Sequence, residues 1–278
     1  MSDGIFKIRT SNPPARKTEF IPHSHPELEI GFFKSGSGVY TVKNGQYDIR
    51  PGDIFLFDSD ELHKITTVET TEPMHTFTVL FQPRLVWDAQ TDELSADVLT
   101  AFRARGAALA HRIDATHPDY PFFVACLNDI EKEWTTARPF YRKLIKSRIL
   151  DFLVLLSRAS GEPIAPTTSE NATLRELLPI INACVDEIEE NFCEDISVRE
   201  LAEKHGMSQN FFTRCFKTVN GITPKAYISS KRIDKAIRLI RTTDMSILDV
   251  ATHCGFNSSA SFHKTFTKMT GKKPTEYR

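Results

Sequence analysis

The C-terminal region contains a degenerate internal repeat, and this repeat restricts the fold more than any other feature of the chain. ISVRELAEKHGM at 196–207 matches MSILDVATHCGF at 245–256 with an offset of 49 residues. One inserted residue then moves the offset to 50, and serine, phenylalanine, glycine, proline and tyrosine positions still correspond as far as 277. Two copies are too few for a solenoid. The repeat therefore predicts two similar small helical units.

Both copies predict the same local structure. Ser197 and Ser246 each precede an acidic residue by three positions, which is the spacing of a capping box at a helix start. Gly206 and Gly255 follow, and glycine readily takes the left-handed conformation that ends a helix. Two phenylalanines four residues apart in each following segment are expected to face the core. Helix, glycine-bearing turn and helix is the helix-turn-helix arrangement.

The charge of the chain is unevenly distributed along the sequence. Residues 204–278 carry 14 Lys and Arg against 4 Asp and Glu, a net charge of +10, whereas the whole chain of 278 residues has a net charge of −1. The remaining residues are therefore acidic, with a net charge of −11. Basic segments of folded proteins often face phosphates. The alternative is a solvated basic surface with no nucleic-acid partner.

The closing sequence CGFNSSASFHKTFTKMTGKKPTEYR completes this pattern. Together with the repeat it resembles the double helix-turn-helix domain of the AraC/XylS transcription regulators over roughly residues 175–278. The matching positions are Cys254, Gly255, Phe256, Phe262, Lys264, Phe266, Gly271, Pro274, Tyr277 and Arg278. Thr267 departs from the family pattern, which often has Lys there, and this puts one phosphate contact in doubt. The resemblance implies sequence-specific binding to double-stranded DNA.

By this resemblance, the helices at about 208–218 and 258–268 would each enter a major groove. Arg can bond guanine in two places, and Gln or Asn can do so with adenine. The candidate contacts on the exposed sides are Gln209, Asn210, Thr213, Arg214, Lys217, Ser259, Ala260, Ser261, His263, Lys264 and Lys268. For each of them a solvated helix surface is the alternative. A continuous helix over 223–244, with one basic face, would fix the separation of the two reading helices.

The N-terminal part is predicted to be antiparallel β-structure as far as about residue 83. VYTVK and QYDIR alternate around a predicted Asn44-Gly45 hairpin turn. Pro51-Gly52-Asp53 predicts another turn, and IFLF at 54–57 and HTFTVLF at 75–81 predict further strands. Short strands at this spacing favour a barrel or a sandwich.

Helical periodicity follows from about residue 92. Helices are predicted at 122–134 and 140–159, and the second has a broad apolar stripe between 144 and 156. This stripe is a candidate dimer interface, with packing on the barrel as the alternative. Residues 160–171, rich in Pro, Ser and Thr, predict the interdomain linker.

The segment HSHPELEIGFFKSG at 23–36 contains two histidines and a glutamate with alternating spacing. Alternate residues of a strand point to the same side, so His23, His25 and Glu29 are expected to converge. Two imidazoles and a carboxylate commonly hold a transition metal.

This spacing also resembles the first cupin motif, with Gly36 as its closing glycine. A looser match to the second motif gives His63. The resemblance implies a cupin-type sensor over about 18–81, and in metal cupins the matching His23, His25, Glu29 and His63 bind iron, manganese, nickel or zinc.

The alternative is that these polar residues line the floor of a pocket for an organic effector. Aromatic walls with a few polar groups suit a small aromatic effector or a sugar, and sugars are the first candidates. The residues that could wall this pocket, or else form the barrel core, are Phe32, Tyr40, Phe55, Phe57 and Phe77. His23, His25, Glu29, His63, Phe32 and Tyr40 are the candidate effector contacts.

The predicted fold is mixed and has two domains. Residues 1–85 form a cupin-like antiparallel β-barrel that binds the effector, 86–160 form a helical linker and dimerisation region, and 172–278 form an all-α DNA-binding domain. The opening residues MSDGIFKIRT lack the apolar region of a signal peptide, no apolar run has the length of a membrane span, and the five cysteines form no CxxC pair. We therefore expect a cytoplasmic protein with reduced thiols.

The predicted function is an effector-controlled transcription regulator, either an activator or a repressor, acting as a homodimer with RNA polymerase as a candidate partner. No catalytic constellation appears, so no enzymatic activity and no certain cofactor are expected. Three alternatives remain. They are a metal-dependent cupin enzyme or metal sensor fused to a DNA-binding domain, constitutive DNA binding with a vestigial barrel, and a helical adaptor that binds protein.

Overall fold

A computed structural model of the chain divides into two compact units. The described residues are 5–14, 22–42, 45–68, 71, 73–86, 96–99, 102, 111–159 and 169–277. One unit comprises residues 1–20, 27–58 and 65–172, and the other comprises 21–26, 59–64 and 173–278. Among the described residues, none of the helices combines the length and the apolarity that a membrane span requires.

The N-terminal strands form two sheets, in which neighbouring strands pair in antiparallel fashion. The strands are β1 Phe6–Ser11, β2 Leu28–Ser35, β3 Gly38–Val42, β4 Gly45–Ile49, β5 Ile54–Phe57, β6 His63–Val68, β7 His75–Phe81 and β8 Arg112–Ile113. One sheet has the order β1-β7-β2-β5-β8 and the other β4-β3-β6. The predicted antiparallel, cupin-like N-terminal architecture is confirmed.

Strand β2 separates two apolar layers because its side chains alternate between the faces of the sheet. Phe33 packs in one buried cluster with Tyr40, Phe55 and Phe57 on one face. Phe32 is on the other face, directly opposite Phe77 of β7. The five aromatic residues that were predicted to wall one pocket are therefore divided between two faces.

The two predicted turns differ in outcome. Val42 pairs with Gly45, so Gly45 is the first residue of β4 and the prediction that it is a turn residue is wrong. Residues 43–44 lie outside the described residues. Gly52 has a φ of +93°, and a Cβ there would lie 2.6 Å from the Tyr120 hydroxyl, which donates a hydrogen bond to the Gly52 carbonyl at 2.7 Å. The turn at 51–53 thus requires glycine both for its backbone and for its space.

Two helices follow the strands, α1 Tyr120–Thr136 and α2 Tyr141–Ala159. Five apolar residues of the predicted stripe are fully buried in α2, namely Ile145, Ile149, Phe152, Leu153 and Leu156. Leu144 is the exception, at 49% exposed. The stripe therefore packs inside its own unit, because Phe152, for example, contacts Phe123 of α1 with ring centroids 4.8 Å apart.

The region around the predicted linker is only partly described. Of the predicted helical region, residues 87–95, 100–101, 103–110 and 160 lie outside the described residues, as do 161–168 of the predicted linker. Residues 169–171, also predicted to be linker, already belong to the helix Ser169–Asn191, which we number α3.

The C-terminal part is helical, as predicted. Its helices after α3 are α4 Val198–Lys204, α5 Gln209–Asn220, α6 Pro224–Thr242, α7 Ile247–His253 and α8 Ser259–Thr270. The hydroxyl oxygens of Ser197 and Ser246 accept hydrogen bonds from the amides of Glu200 and Asp249 at 3.3 and 3.1 Å. These caps begin α4 and α7 at the predicted residues.

The two copies of the repeat differ at the glycine that ends the first helix of each. Gly206 and Gly255 have φ values of +68° and +81°. A Cβ on Gly206 would meet no atom within 4 Å, whereas a Cβ on Gly255 would lie 2.2 Å from the carbonyl oxygen of Cys193. The second copy is therefore packed tightly against the segment that follows α3, and the first copy has open space at the equivalent point.

Replacing these two glycines by alanine separates backbone strain from steric clash. Gly206→Ala should lower the free energy of unfolding by about 1–2 kcal/mol, the cost of a left-handed non-glycine residue. Gly255→Ala should cost about 1–3 kcal/mol more, because a close-packed backbone atom must move. Urea unfolding of both variants measures the difference. Equal losses would show that Cys193 imposes no constraint on Gly255.

All five cysteines are free thiols. Burial raises the pKa of Cys126, Cys184 and Cys254 to about 11. Cys193 differs because it is half-buried and its sulfur lies 3.1 Å from the ammonium of Lys235. Its partial exposure gives an alkylating reagent access to this sulfur.

Alkylation of the native protein with iodoacetamide at neutral pH should therefore label Cys193 first. The other thiols remain protonated and inaccessible to the reagent until the protein unfolds. Peptide mass spectrometry after short exposure measures the order of labelling, and a Cys193→Ser variant provides the control. Labelling of Cys126 or Cys254 before Cys193 would contradict the described packing.

Candidate functional site

Helix α5 presents a polar face because its apolar residues are used in the core. Ser208 caps the helix, with its hydroxyl oxygen 3.4 Å from the Phe211 amide, and Phe212 and Phe216 are completely buried. Of the candidate contacts, the exposed ones are Gln209, Asn210, Arg214 and Lys217, and the half-buried one is Thr213. The guanidinium of Arg214 lies 5.5 Å from the ring centroid of Phe211, a cation–π contact that orients its outward side chain.

Helix α8 repeats this arrangement in the second copy. Ser258 caps it by accepting a hydrogen bond from the Ser261 amide at 3.2 Å, and Phe262 and Phe266 are completely buried. The exposed candidates on α8 are Ser259, Ala260, Ser261, Lys264 and Lys268, and His263 is half-buried. The ring of His263 lies edge-on to Phe262 at 5.7 Å. Each repeat thus presents one polar helix surface.

The basic residues of α6 are used differently from the uniform basic face that the sequence predicts. Lys231 forms an ion pair with Glu189 at 3.0 Å, and Arg232 donates hydrogen bonds to the carbonyls of Phe192 and Glu194 at 2.6 and 2.7 Å. Burial lowers the pKa of the Arg232 guanidinium. These side chains tie α6 to the end of α3, whereas Arg238 and Arg241 are exposed.

The histidines of the N-terminal motif are brought together by the backbone. His23 and His63 form an isolated antiparallel bridge, with amide-to-carbonyl distances of 3.1 Å in both directions. The amide of Asp60, whose φ is +64°, donates to the His25 carbonyl at 2.7 Å. Three backbone hydrogen bonds therefore fix the two chain segments that carry His23, His25 and His63.

Three of the four predicted metal ligands, His23, His25 and His63, lie together in the second compact unit, and the fourth, Glu29, belongs to the first. His25, Glu29 and His63 are buried, at 7%, 7% and 1% exposed, and His23 is half-buried. The ring centroids of His23 and His63 are 4.5 Å apart, and those of His25 and His63 are 5.3 Å apart. The three imidazoles offer nitrogen atoms that could bind a metal ion or the polar groups of an organic ligand.

The His63 ring has a defined orientation. Its Nδ1 lies 2.8 Å from the carbonyl oxygen of Glu61, and since a carbonyl only accepts, Nδ1 carries the proton. The lone pair is therefore on Nε2. A metal-binding histidine is commonly oriented in this way through its second ring nitrogen.

The predicted aromatic contacts are placed apart. Tyr40 is buried and stacks on Phe55 and Phe57, with ring centroids 5.2 and 4.9 Å away. A Cβ on Gly31 would lie 3.8 Å from an oxygen of Glu29, so the Glu29 carboxylate is on the same face of β2 as this aromatic cluster. Phe32 is on the opposite face and does not contribute to a pocket beside Glu29.

A polar pair that the sequence did not predict lies beside the same aromatic cluster. The Tyr47 hydroxyl and Nδ1 of His111 are 3.2 Å apart, and the His111 ring centroid is 6.3 Å from that of Phe57. His111 immediately precedes β8, a strand of two residues that is too short to leave a periodic signal in the sequence.

The N-terminal domain has polar side chains, such as Tyr47 and His111, beside an aromatic cluster, and two capped helix-turn-helix copies follow it. Such an arrangement is typical of ligand-responsive DNA-binding regulators. Family comparison agrees with this class. The AraC-like ligand binding domain matches residues 11–152, which is more than half of the chain, and a helix-turn-helix domain matches residues 201–278. The chain belongs to the AraC family of transcription regulators.

Curated relatives extend over most of the chain. The melibiose operon regulatory protein of Escherichia coli K12 is 28% identical over 260 residues, covering 92% of this chain and 82% of the relative. The transcriptional activator RhaS of Klebsiella pneumoniae strain 342 is 25% identical over 283 residues, covering 100% of this chain and 95% of the relative. The fold is similar to that of ToxT from Vibrio cholerae, with a TM-score of 0.53, 14% identity and coverage of 98% and 97% of the two chains.

Proposed function

We propose that the exposed faces of α5 and α8 bind double-stranded DNA and that a small-molecule effector in the N-terminal domain controls this binding. The observation that carries the proposal is that both copies bury their phenylalanine pair and expose polar side chains at equivalent positions. The net charge of +10 over 204–278 favours association with phosphates.

The proposed DNA contacts are the polar residues of these two faces. They are Gln209, Asn210, Thr213, Arg214, Lys217, Ser259, Ala260, Ser261, His263, Lys264 and Lys268. Helix α6 connects the two copies with 19 residues, a length of about 28 Å. A rigid connection of this kind suits binding in successive major-groove turns, which are about 34–36 Å apart.

Sugars are the first effectors to test. The name of one relative, the melibiose operon regulatory protein, links that relative to a sugar operon. In this chain the polar groups of Glu29, Tyr47 and His111 lie around an aromatic cluster. Aromatic faces with a few hydrogen-bonding groups suit sugar recognition. We place the sensor in residues 1–85, the connecting and dimerising region in 86–160, and the DNA-binding domain in 172–278.

The biological setting follows from the same proposal. We infer a cytoplasmic homodimer that activates transcription with RNA polymerase as partner, because the relatives include activators. Exposed apolar side chains on and between α1 and α2 are consistent with a further interface. They are Phe122, Trp134, Phe140 and Leu144. Regulation rather than catalysis is the proposed activity, since the family consists of regulators.

Arg214→Ala should weaken binding to DNA selected from a random library by roughly 5- to 150-fold, the effect of losing about 1–3 kcal/mol of base recognition. Binding to scrambled DNA should change much less. Fluorescence anisotropy measures both affinities, and thermal unfolding shows whether the fold is intact. Lys132→Ala, an exposed substitution on α1, is the control. Unchanged specific affinity in Arg214→Ala would remove this residue from the interface.

The affinity for DNA should also fall steeply as salt concentration rises, because phosphate contacts release counterions. Lys264→Ala should reduce the slope of log K against log salt by about 1, whereas Lys132→Ala should leave it unchanged. Titrations at several salt concentrations measure the slope. A flat response in the wild-type protein would reject DNA binding and favour a protein-binding adaptor.

A further inference from the structure

We propose that Cys193 and Lys235 form a covalent crosslink, a bond between the cysteine sulfur and the lysine nitrogen, when the protein meets a peroxide. The two side chains lie in the second compact unit. They form a modification site that takes a small hydroperoxide as its reagent, and hydrogen peroxide is the smallest member of this class. The inference does not depend on DNA binding.

The two atoms that would react are already in contact. The Lys235 ammonium donates a hydrogen bond to the Cys193 sulfur at a distance of 3.1 Å. Reacting atoms that are held about 3–3.5 Å apart have the separation of a near-attack geometry, which removes much of the entropic cost of bringing them together. The two residues are 42 positions apart in the chain, so the packing of α6 against the segment after α3 creates this contact.

Helix α6 also fixes the backbone on both sides of the cysteine. The Arg232 side chain donates hydrogen bonds to the carbonyls of Phe192 and Glu194 at 2.6 and 2.7 Å. Arg232 and Lys235 are three residues apart on α6 and therefore share one face of the helix. The helix that carries the lysine thus holds the segment that carries Cys193, so the two reacting groups lie on facing surfaces.

The lysine side chain has a second contact, and the sulfur remains accessible. The Lys235 nitrogen lies 5.9 Å from the centroid of the Phe192 ring, which is within the range of a cation–π interaction. Both reacting residues are half-buried, whereas the other four cysteines are buried. Oxidation of a cysteine depends on access to its thiol, so a small peroxide is expected to reach Cys193 before the other thiols.

The reaction has two steps, and hydrogen peroxide is the oxidant. In the first step, the Cys193 sulfur takes one oxygen atom from the peroxide and becomes a sulfenic acid, and the other oxygen leaves as water. The sulfur loses two electrons, and these reduce the peroxide. In the second step, the Lys235 ammonium releases a proton to solvent, and its nitrogen attacks the sulfur as an amine. The sulfur–oxygen bond breaks, the departing hydroxide takes a second proton from the nitrogen to form water, and a neutral sulfenamide remains.

One other thiol could compete for the oxidised sulfur. Cys254 immediately precedes Gly255, and a Cβ on Gly255 would lie 2.2 Å from the Cys193 carbonyl oxygen. Cys254 is completely buried, and burial raises the pKa of its thiol to about 11. A thiol attacks sulfur as the thiolate, and at neutral pH Cys254 stays protonated. Lys235, which already contacts the sulfur, is therefore the expected partner.

The crosslink is tested on the untagged full-length protein, which is reduced and then treated with a small excess of hydrogen peroxide. We expect an intact mass lower by two hydrogen atoms, and recovery of the original mass with dithiothreitol. Because a disulfide gives the same change in mass, tryptic peptides are then mapped without reduction. The peptides that contain Cys193 and Lys235 should be linked, and trypsin should no longer cleave after Lys235.

The crosslinked protein should also melt at a higher temperature, because a crosslink restricts the unfolded chain. Three results would overturn the proposal. They are a disulfide between Cys193 and Cys254, an oxidised Cys193 that remains unlinked, and a Cys193 thiol that survives peroxide at a concentration that oxidises free cysteine.

Two variants assign the bond to this pair. Lys235→Arg keeps the positive charge but replaces the amine by a guanidinium that does not lose its proton. It should still be oxidised at Cys193, where dimedone traps the sulfenic acid, without forming the crosslink. Cys193→Ser should give neither the dimedone adduct at this position nor the crosslink. Lys231→Arg, on the same helix and four residues away, is the matched control and should crosslink as the wild type does. Circular dichroism shows whether each variant folds. Crosslinking of folded Lys235→Arg to the wild-type extent would place the bond elsewhere and overturn the proposal.

Discussion

Strand β2 is hydrogen-bonded along both edges, to β5 and to β7, and the N-terminal domain depends on this central position. A strand paired on both sides cannot rotate, so the alternation of its side chains is fixed. Glu29 and Phe33 therefore lie on the face of β2 that carries the aromatic cluster of Tyr40, Phe55 and Phe57. Phe32 lies on the opposite face. A shift of one residue in register would exchange these faces and remove the carboxylate of Glu29 from the face that carries the aromatic cluster.

The two C-terminal copies show how one local design serves two structural environments. Both begin with a serine cap and end their first helix with a left-handed glycine. Only Gly255 is pressed against a neighbouring carbonyl, that of Cys193. The Arg232 side chain donates hydrogen bonds to the carbonyls of Phe192 and Glu194, the two residues that flank Cys193. The second copy is thus anchored to the segment after α3 by both backbone contact and charge.

Charge in the C-terminal region has two separate roles. Lys231, Arg232 and Lys235 interact with groups at the end of α3 and help to fix α6. Arg214, Lys217 and Lys264 are exposed on the two equivalent helix faces. Net charge alone therefore overstates the surface that is available to DNA. The exposed side chains, rather than the total of +10, indicate where phosphate and base contacts are to be sought.

Features that have a local period or a local cap could be predicted from the chain without its tertiary structure. These are the helix starts at Ser197 and Ser246, the glycines that end the first helices, the buried phenylalanine pairs and the proximity of His23 to His25. His63 was reached only through a family resemblance. The division of the aromatic residues between two layers became known only from the tertiary structure. The same holds for the pairing of Tyr47 with His111, which are 64 residues apart in the sequence. It also holds for the ion pair of Lys231 with Glu189, which are 42 residues apart. Contacts between residues so far apart depend on how elements pack, and no local pattern in the chain specifies that packing.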